Sequence, residues 1–372
     1  MSTIFDIKPL GFLIGAFTLS LSFTSLRGAS SAGILEVVLL FLISLYLLRH
    51  HVLEMNQIDW HSLTPLIFLI IIVTPLTLIN WIQNFYGSSF STLIALMYAS
   101  LIGGVTYSFN HEYRVSFGAG VGISIFLIMA YILISGELFA TLARFAFLSV
   151  NPNTLSLYSI CACFIISFFY PKGFIRYFFI LSAIFYGSIA LSDSFFLSII
   201  LGLLVSCISF AQWKGFLPPF ILVAMVASII ILINIELNPI TSIVNLWNQA
   251  DQGGARIALL KNGIEAYSYS PIIGHGAGAF SGAYHAFGRF EAHNTYVDLL
   301  TIGGPVLMLI FIIPMLVPLL YFHRNKEFLP LAFLVAILLF SFFHFTARHP
   351  IIWIVWGFCL AIIYSNQYKV SK

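Results

Sequence analysis

Charged residues are scarce in this sequence. Only 8% of its 372 residues are Asp, Glu, Lys or Arg, whereas 60% are hydrophobic. A water-soluble domain normally carries about 25% charged and about 45–50% apolar residues, so this chain lacks the surface that such a domain needs. The scarcity of charge excludes a soluble enzyme on a single membrane anchor and predicts a polytopic membrane protein.

Clusters of basic residues are also missing. The nine Arg and seven Lys nowhere form a run of five or more, although the net charge is +3. Nucleic-acid-binding proteins carry a concentrated basic patch or stripe, so nucleic acid is excluded as a partner.

Cysteine is rare, and none of it forms a redox or metal motif. All four cysteines lie in apolar segments: Cys161, Cys163, Cys207 and Cys359. Cys161 and Cys163 are two residues apart on one predicted helix, so their side chains diverge and can neither bridge nor chelate. The cysteines are predicted to be small core residues.

Apolar runs long enough to be membrane spans recur along the chain, since a span takes about 20 residues. The predicted runs are 10–26, 33–48, 63–80, 90–108, 117–135, 154–170, 174–191, 195–210, 216–235, 297–322, 328–345 and 351–365. No signal-peptide cleavage site follows the first run, so it is predicted to be a span. The fold class is therefore an all-α polytopic membrane protein with about 12 transmembrane helices, and eleven to thirteen are compatible with the crowding between residues 154 and 210.

The distribution of Lys and Arg predicts the orientation, because positively charged short loops resist translocation. With a cytoplasmic N-terminus, ten basic residues lie on the cytoplasmic side: Lys8, Arg49, Arg114, Lys172, Arg176, Lys214, Arg324, Lys326, Lys369 and Lys372. The outer short loops hold three: Arg27, Arg144 and Arg348. Both termini are predicted to be cytoplasmic.

This orientation leaves one large extracytoplasmic loop, residues 236–296, between spans nine and ten. No internal repeat is visible, so residues 1–372 are predicted to form a single transmembrane domain. Within the loop, Ile257, Leu260, Ile264 and Tyr267 recur at helical spacing. They predict a short helix on the membrane or the bundle, beginning after Gly253-Gly254 and ending by Pro271.

Two features of the loop have both a structural and a chemical interpretation. The glycines of Gly274-His-Gly-Ala-Gly278 suit a tight turn, but backbone amides of such turns also bind phosphate, so Gly274 and Gly276 are candidate substrate-binding residues. Asn294 is a natural helix cap, and Asp298 a buried polar tether. His293 beside them has an ordinary pKa of about 6.5, which suits a general base, although a lone loop histidine is most often only solvated.

The outer-face arginines are further candidates, because a guanidinium binds phosphate through two parallel hydrogen bonds. They are Arg27, Arg144, Arg256, Arg289 and Arg348. The alternative for each is an ion pair with a nearby carboxylate, for example Arg289 with Glu291, or Lys261 with Glu265 one helical turn away.

The loop motifs resemble the O-antigen polymerase and O-antigen ligase superfamily. They are Arg256, Ser270-Pro-Ile-Ile-Gly-His-Gly-Ala-Gly-Ala-Phe280, His293-Asn-Thr-Tyr296 and Gly303-Gly304. Residues 144–154, RFAFLSVNPNT, are similar to the arginine and Pro-Asn element before a middle span of that family. The resemblance is strongest over residues 230–310 and looser over 140–210.

The resemblance implies a multi-pass enzyme of the bacterial inner membrane whose active site faces the periplasm. Such enzymes move a glycan from undecaprenyl diphosphate to an acceptor sugar without a metal. Arg256 would hold the donor diphosphate and His293 would activate the acceptor hydroxyl, with Asn294 and further arginines among the substrate-binding residues. A Ser-Arg pair of many members is replaced here by Leu191-Ser-Asp-Ser-Phe-Phe196. Arg144 or Arg348 is then expected to supply that phosphate contact, unless the correspondence at residues 191–196 is wrong.

The expected partners are an undecaprenyl-diphosphate-linked oligosaccharide, membrane lipid and a chain-length regulator protein. Polymerase and ligase share these motifs, and the short stretch between the glycine-rich turn and His293 favours a polymerase. A secondary transporter is disfavoured because the long loop breaks a six-plus-six symmetry. A zinc site of His275, His285 and His293 lacks suitable spacing, and no outward-facing acidic pair is suited to a divalent ion, so no cofactor is expected.

Overall fold

The apolar runs form helices in the part of the chain that the computed structural model describes, which is residues 7–21, 34–49, 60–83, 89–135, 151–190, 192–210 and 239–370. In chain order the helices are α1 (Pro9–Ser20), α2 (Ile34–Leu47), α3 (Trp60–Ile82), α4 (Phe90–Tyr107), α5 (His111–Ser135), α6 (Pro152–Phe169), α7 (Phe174–Ile189), α8 (Asp193–Phe210), α9 (Pro239–Ser268), α10 (Thr295–Arg324), α11 (Phe328–Phe340) and α12 (Pro350–Val370). Within these residues, β-structure is limited to one isolated antiparallel bridge. The predicted all-α class is confirmed.

Five of the described helices are long and apolar enough to cross a membrane: α3, α4, α5, α6 and α10. Six shorter apolar helices accompany them among the described residues: α1, α2, α7, α8, α11 and α12. These eleven coincide with eleven of the predicted runs, and the run at 216–235 lies outside the described residues. A multi-pass membrane protein is therefore supported, whereas the total of twelve spans stays a prediction.

Prolines begin four of the helices and distort others. Pro9, Pro152, Pro239 and Pro350 each occupy a first helical position, where the missing N–H has no intrahelical partner to lose. In α6 the side chain of Asn151 completes the start by accepting a hydrogen bond of 2.9 Å from the Asn153 amide.

The described chain divides into two compact units. The first contains α1, α2, α5 to α8 and residues 319–337. In it α1 lies against α5 at two glycines, where a Cβ on Gly120 would approach the Phe12 carbonyl oxygen to 2.1 Å. Ion pairs join Lys8 to Glu112 at 3.1 Å and Lys172 to Glu327 at 3.2 Å. The four cysteines are buried and free, as predicted.

The second unit contains α3, α4, α9, α10 as far as Pro318, and the chain from Leu338 through α12. Helices α4 and α12 cross at small residues, because a Cβ on Gly357 would come within 2.1 Å of the Gly103 carbonyl oxygen. Phe311 of α10 packs edge-to-face on Trp353 of α12, with ring centroids 5.4 Å apart. This unit holds every candidate site residue that the structure describes.

The helix predicted within the long loop is wrong in its start and length. Helix α9 has 30 residues and continues through Gly253-Gly254 instead of beginning there. Its buried positions in the second half are Leu259, Asn262, Gly263 and Ala266. Ile257 and Ile264 of the predicted apolar face are 69% and 52% exposed. The rest of the loop packs against α9 through small and polar residues, which a search for apolar spacing does not detect.

Candidate functional site

His293 lies in a turn whose neighbouring amides are both bound by one carboxylate. The side chain of buried Asp298 accepts hydrogen bonds from the amides of Ala292 at 2.8 Å and Asn294 at 3.2 Å. His293 itself has a left-handed backbone, with φ of 52°. A non-glycine residue rarely adopts this conformation. The Asp298 carboxylate stabilises it by binding the amides of the residues before and after His293.

Asn294 caps α10, as predicted. Its Oδ1 accepts hydrogen bonds from the amides of Tyr296 and Val297, both at 3.1 Å. Its Nδ2 donates to the Phe342 carbonyl at 3.1 Å. The predicted interpretations of Asn294 as a cap and Asp298 as a buried tether are confirmed. Through these bonds Asn294 stabilises the start of α10, whereas the resemblance implies a substrate contact at this position.

A second set of hydrogen bonds brings Arg348 to the start of α10. Thr295 Oγ1 donates to the His344 carbonyl at 2.6 Å and accepts from the Thr346 amide at 2.8 Å. The Thr295 amide donates to the Ser341 carbonyl at 2.9 Å. The segment between α11 and α12 is thereby fixed against the residues that follow His293.

Three charged side chains act electrostatically on the imidazole of His293, and with it we call them the His293 cluster: Arg256, Glu291 and Arg348. Arg348 Nη1 donates to Glu291 Oε1, and the side chains are 42% and 18% exposed. Both arginines and the carboxylate are close enough to act electrostatically on the imidazole. The resemblance named Arg256 and His293, and the structure places Arg348 beside them.

The environment of His293 favours the neutral imidazole. Burial lowers the pKa of His293 below its ordinary value, and Arg256 and Arg348 lower that pKa further, against the opposing charge of Glu291. A neutral imidazole at pH 7 has a free nitrogen lone pair with which to accept a proton.

Arg256 reaches this site because of the way α9 packs. Gly263 follows it by two helical turns, and a Cβ on Gly263 would lie only 2.8 Å from the Ala292 Cβ. Asn262 Nδ2 donates to the Gly282 carbonyl at 2.6 Å, and the hydroxyl of Ser281 donates to the Leu259 carbonyl. Residues seven apart share a helix face, so the side of α9 that carries Arg256 is turned towards the segment that holds His293.

The glycine-rich turn packs into a break in α10. Gly303 and Gly304 are non-helical, and Pro305 has no amide to bond the carbonyl four residues before it. The His275 amide donates to the Thr301 carbonyl at 2.7 Å, and the Gly276 amide donates to the Ile302 carbonyl at 2.9 Å. The turn therefore supplies the hydrogen bonds that the broken helix lacks.

These bonds decide between the two interpretations of the turn. The Gly274 amide donates to the Ser270 carbonyl at 3.0 Å, and the Ala277 amide to Thr77 Oγ1 at 2.7 Å. Gly274 and Gly276 have φ of 72° and 85°, and each lies against neighbouring backbone with no space for a Cβ. The four amides from Gly274 to Ala277 are satisfied within the protein, so the tight-turn interpretation accounts for the glycines.

The other candidate residues are distributed differently. Arg289 is exposed on the hairpin that pairs Ser281 with Phe290, whose two backbone hydrogen bonds measure 2.8 and 2.9 Å. Arg144 and Arg27 lie outside the described residues. Glu291, which the sequence offered as a partner of Arg289, pairs with Arg348, and nothing in the local spacing indicates a contact across 57 positions.

Metal-binding groups do not assemble in the described part of the chain, where no three His, Cys, Asp or Glu side chains could hold an ion. His275 Nε2 bonds the Ala266 carbonyl at 2.8 Å, and His285 Nδ1 bonds its neighbour's carbonyl at 2.6 Å. The chemistry that the described site offers therefore comes from its arginines, its carboxylates and one imidazole.

The apolar helices support the class of a multi-pass membrane protein, and an imidazole, two arginines and a carboxylate lie in one of its compact units. Residues 177–312 match the family model described as O-antigen ligase. This match confirms the resemblance to the O-antigen polymerase and ligase superfamily over a segment that includes Arg256, Gly274, Gly276, Arg289 and His293. No curated protein gives a significant match. The family match supports a glycosyl-transfer function of the ligase or polymerase type.

Proposed function

We propose that this protein is an O-antigen polymerase of the bacterial inner membrane. It transfers a glycan from undecaprenyl diphosphate to a lipid-linked repeat unit on the periplasmic side, without a metal. The observation that carries the proposal is the His293 cluster, in which two arginines act electrostatically on an imidazole just before α10. His293, Arg256 and Glu291 of this cluster lie within the family match.

Each member of the cluster has a separate task in the transfer. The acceptor hydroxyl gives its proton to neutral His293 as its oxygen bonds the anomeric carbon of the donor sugar. The bond from that carbon to the diphosphate oxygen breaks, and undecaprenyl diphosphate leaves with the bonding electrons. Arg256 and Arg348 stabilise the negative charge that develops on the leaving group, as a bound cation would.

Arg348 fits the phosphate contact left open by Leu191-Ser-Asp-Ser-Phe-Phe196. Its guanidinium has five N–H donors, of which Nη1 bonds Glu291, and 42% of the side chain is exposed. Further donors can therefore bind phosphate. Arg144 stays a second candidate, and the proposal assigns a sugar contact to Arg289, which is exposed on the hairpin.

An O-antigen ligase is the second candidate, because the matching family model carries that description. Ligase and polymerase would use the same donor and differ in acceptor, which for a ligase is the lipid A core. The polymerase is favoured because the stretch between the glycine-rich turn and His293 is short and residues 281–290 close into one small loop, which leaves little chain to enclose a lipopolysaccharide core. A secondary transporter does not account for a general base beside two arginines.

The lipopolysaccharide of a deletion strain separates these functions. Loss of a polymerase leaves the core with a single repeat unit, and loss of a ligase leaves bare core while lipid-linked polymer accumulates. Loss of a transporter leaves the lipid-linked units on the cytoplasmic side. The strain complemented with the wild-type gene is the control, and bare core with accumulated polymer would overturn the polymerase in favour of the ligase.

A further inference from the structure

Glu291 contributes to the site through a contact that the sequence does not predict. Its carboxylate bonds Arg348, it stands two residues before His293, and only 18% of its side chain is exposed. A charged side chain this buried is stable only when it is paired, so the contact with Arg348 fixes both partners.

The backbones on both sides of this pair are held by bonds that do not involve the two side chains. Asp298 binds the amides of Ala292 and Asn294, which fixes the segment that carries Glu291. Thr295 binds the His344 carbonyl and the Thr346 amide, which fixes the segment that carries Arg348. Since both backbones are held in this way, the contact with Glu291 sets the direction of the Arg348 guanidinium.

The geometry points to Glu291 as a positioning residue, whose carboxylate holds one edge of the Arg348 guanidinium so that the opposite edge is presented to the donor diphosphate beside His293. This inference rests on the proposed function, because it takes a diphosphate to be the ligand. Glu291 acts on the donor only through Arg348.

Glu291 and Arg348 should also have opposite effects on the pKa of His293. The titratable and charged groups near His293 are Glu291 on its own segment, Arg256 on α9, Arg348 before α12 and the buried Asp298 on α10, with Arg289 on the nearby hairpin. Glu291 raises the pKa of His293, and Arg348 lowers it. Removing the carboxylate should therefore lower the pKa of His293, whereas removing the guanidinium should raise it.

The test uses the full-length protein in lipid nanodiscs, with undecaprenyl diphosphate alone as the binding probe. Glu291→Gln should weaken binding about tenfold, as expected when a charge-assisted hydrogen bond is lost. Arg348→Gln should weaken binding at least as much, and the double variant no more than Arg348→Gln alone. Glu265→Gln, at an exposed position of α9, is the matched control and should bind as the wild type does.

A second readout follows the ionisation of His293 without any transfer reaction. The pH dependence of its modification by diethyl pyrocarbonate, measured by peptide mass spectrometry, gives the midpoint at which the imidazole becomes neutral. The midpoint should fall in Glu291→Gln and rise in Arg348→Gln. Glu291→Asp keeps the charge but shortens the reach, so it should weaken probe binding and leave the midpoint near that of the wild type; it also serves if Glu291→Gln does not accumulate.

The outcomes separate this inference from the proposed function. Wild-type probe binding in both Glu291 variants, or losses that add in the double variant, would overturn the positioning role even if transfer is observed. If the wild type binds the probe but transfers no glycan, the proposed function fails, whereas the binding cycle and the opposite midpoint shifts still support Glu291 as a positioning residue.

Discussion

At the scale of the residue, the chemistry depends on the ionisation of His293. Burial is the largest influence on its pKa and acts in the same direction as the two arginines, so the neutral form predominates at pH 7. An imidazole in bulk water with a pKa of about 6.5 would be partly protonated at the same pH. Because of its half-buried position, a larger fraction of His293 is in the neutral, proton-accepting form at pH 7 than for a histidine in bulk water.

The rate of transfer should accordingly show an acidic limb below pH 6.5. The proton-accepting form is fully present above the lowered pKa of His293 and is lost as the pH falls through it. The pH dependence of kcat/KM for the reconstituted protein measures this limb. Arg348→Gln should move the limb to higher pH, and a limb centred above pH 7 in the wild type would contradict a neutral His293.

At the scale of the element, the break in α10 and the glycine-rich turn depend on each other. Pro305 removes a helical donor, Gly303 and Gly304 leave the helical conformation, and the amides of His275 and Gly276 bond the exposed carbonyls. Asn294 fixes the beginning of the same helix. The motif Ser-Pro-x-x-Gly-x-Gly thus holds the elements that carry the site, and its amides from Gly274 to Gly276 are already bonded within the protein.

Gly304→Ala should destabilise the protein strongly. Gly304 has φ of 68°, and a Cβ there would lie 2.1 Å from the Ile272 carbonyl oxygen. Overpacking and a left-handed alanine together cost about 2–4 kcal/mol. The thermal midpoint in detergent should fall by several degrees, with loss of transfer activity.

Gly254→Ala is the matched control for that substitution. Gly254 lies in α9 with open space around its Cα, so an alanine there should leave the midpoint unchanged or raise it slightly. Equal thermal midpoints for Gly304→Ala and Gly254→Ala would show that the glycine-rich turn does not stabilise the break in α10.

Local patterns in the sequence predicted the helices well, but they did not predict contacts between segments that are distant in the sequence. Apolar length located eleven helices in the described chain, and residue type identified Asn294 as a cap and Asp298 as a tether. Apolar spacing could not indicate the face of α9 that packs on the rest of the loop, because Asn262 and Gly263, not large apolar residues, lie against Gly282 and Ala292. The pairing of Glu291 with Arg348 could not be predicted, because it depends on how Thr295 binds the segment before α12.

At the scale of the whole molecule, the proposal requires the His293 cluster to face the periplasm. The bias of ten basic residues against three in the short loops predicts this orientation. The residues that form the cluster lie in one compact unit, which also contains the apolar helices α3, α4 and α12 and α10 as far as Pro318.

Reporter fusions test the orientation. An alkaline phosphatase fused after Gly282 should be active, because the hairpin is predicted to be exported. Fusions after Asn325 and Lys372 should be silent, since both positions are predicted to be cytoplasmic. Activity at Lys372 together with silence at Gly282 would reverse the orientation and remove the periplasmic site.

Transfer by the purified protein should not depend on a divalent cation. The two arginines supply the positive charge that a metal would bring to the leaving diphosphate. Excess chelator should therefore change the rate by less than about twofold. Loss of the activity and its recovery with Mg²⁺ or Zn²⁺ would show that a metal ion takes part.

The most direct test of the account separates donor binding from turnover in the reconstituted protein. His293→Ala should lower turnover by about 10²–10⁴-fold and leave donor affinity nearly intact. Arg256→Ala should weaken donor binding as well, and Arg256→Lys should stay badly impaired because lysine cannot form the two parallel hydrogen bonds. All variants must reach the membrane at wild-type levels. A His293→Ala protein that polymerises at the wild-type rate and chain length would contradict the account.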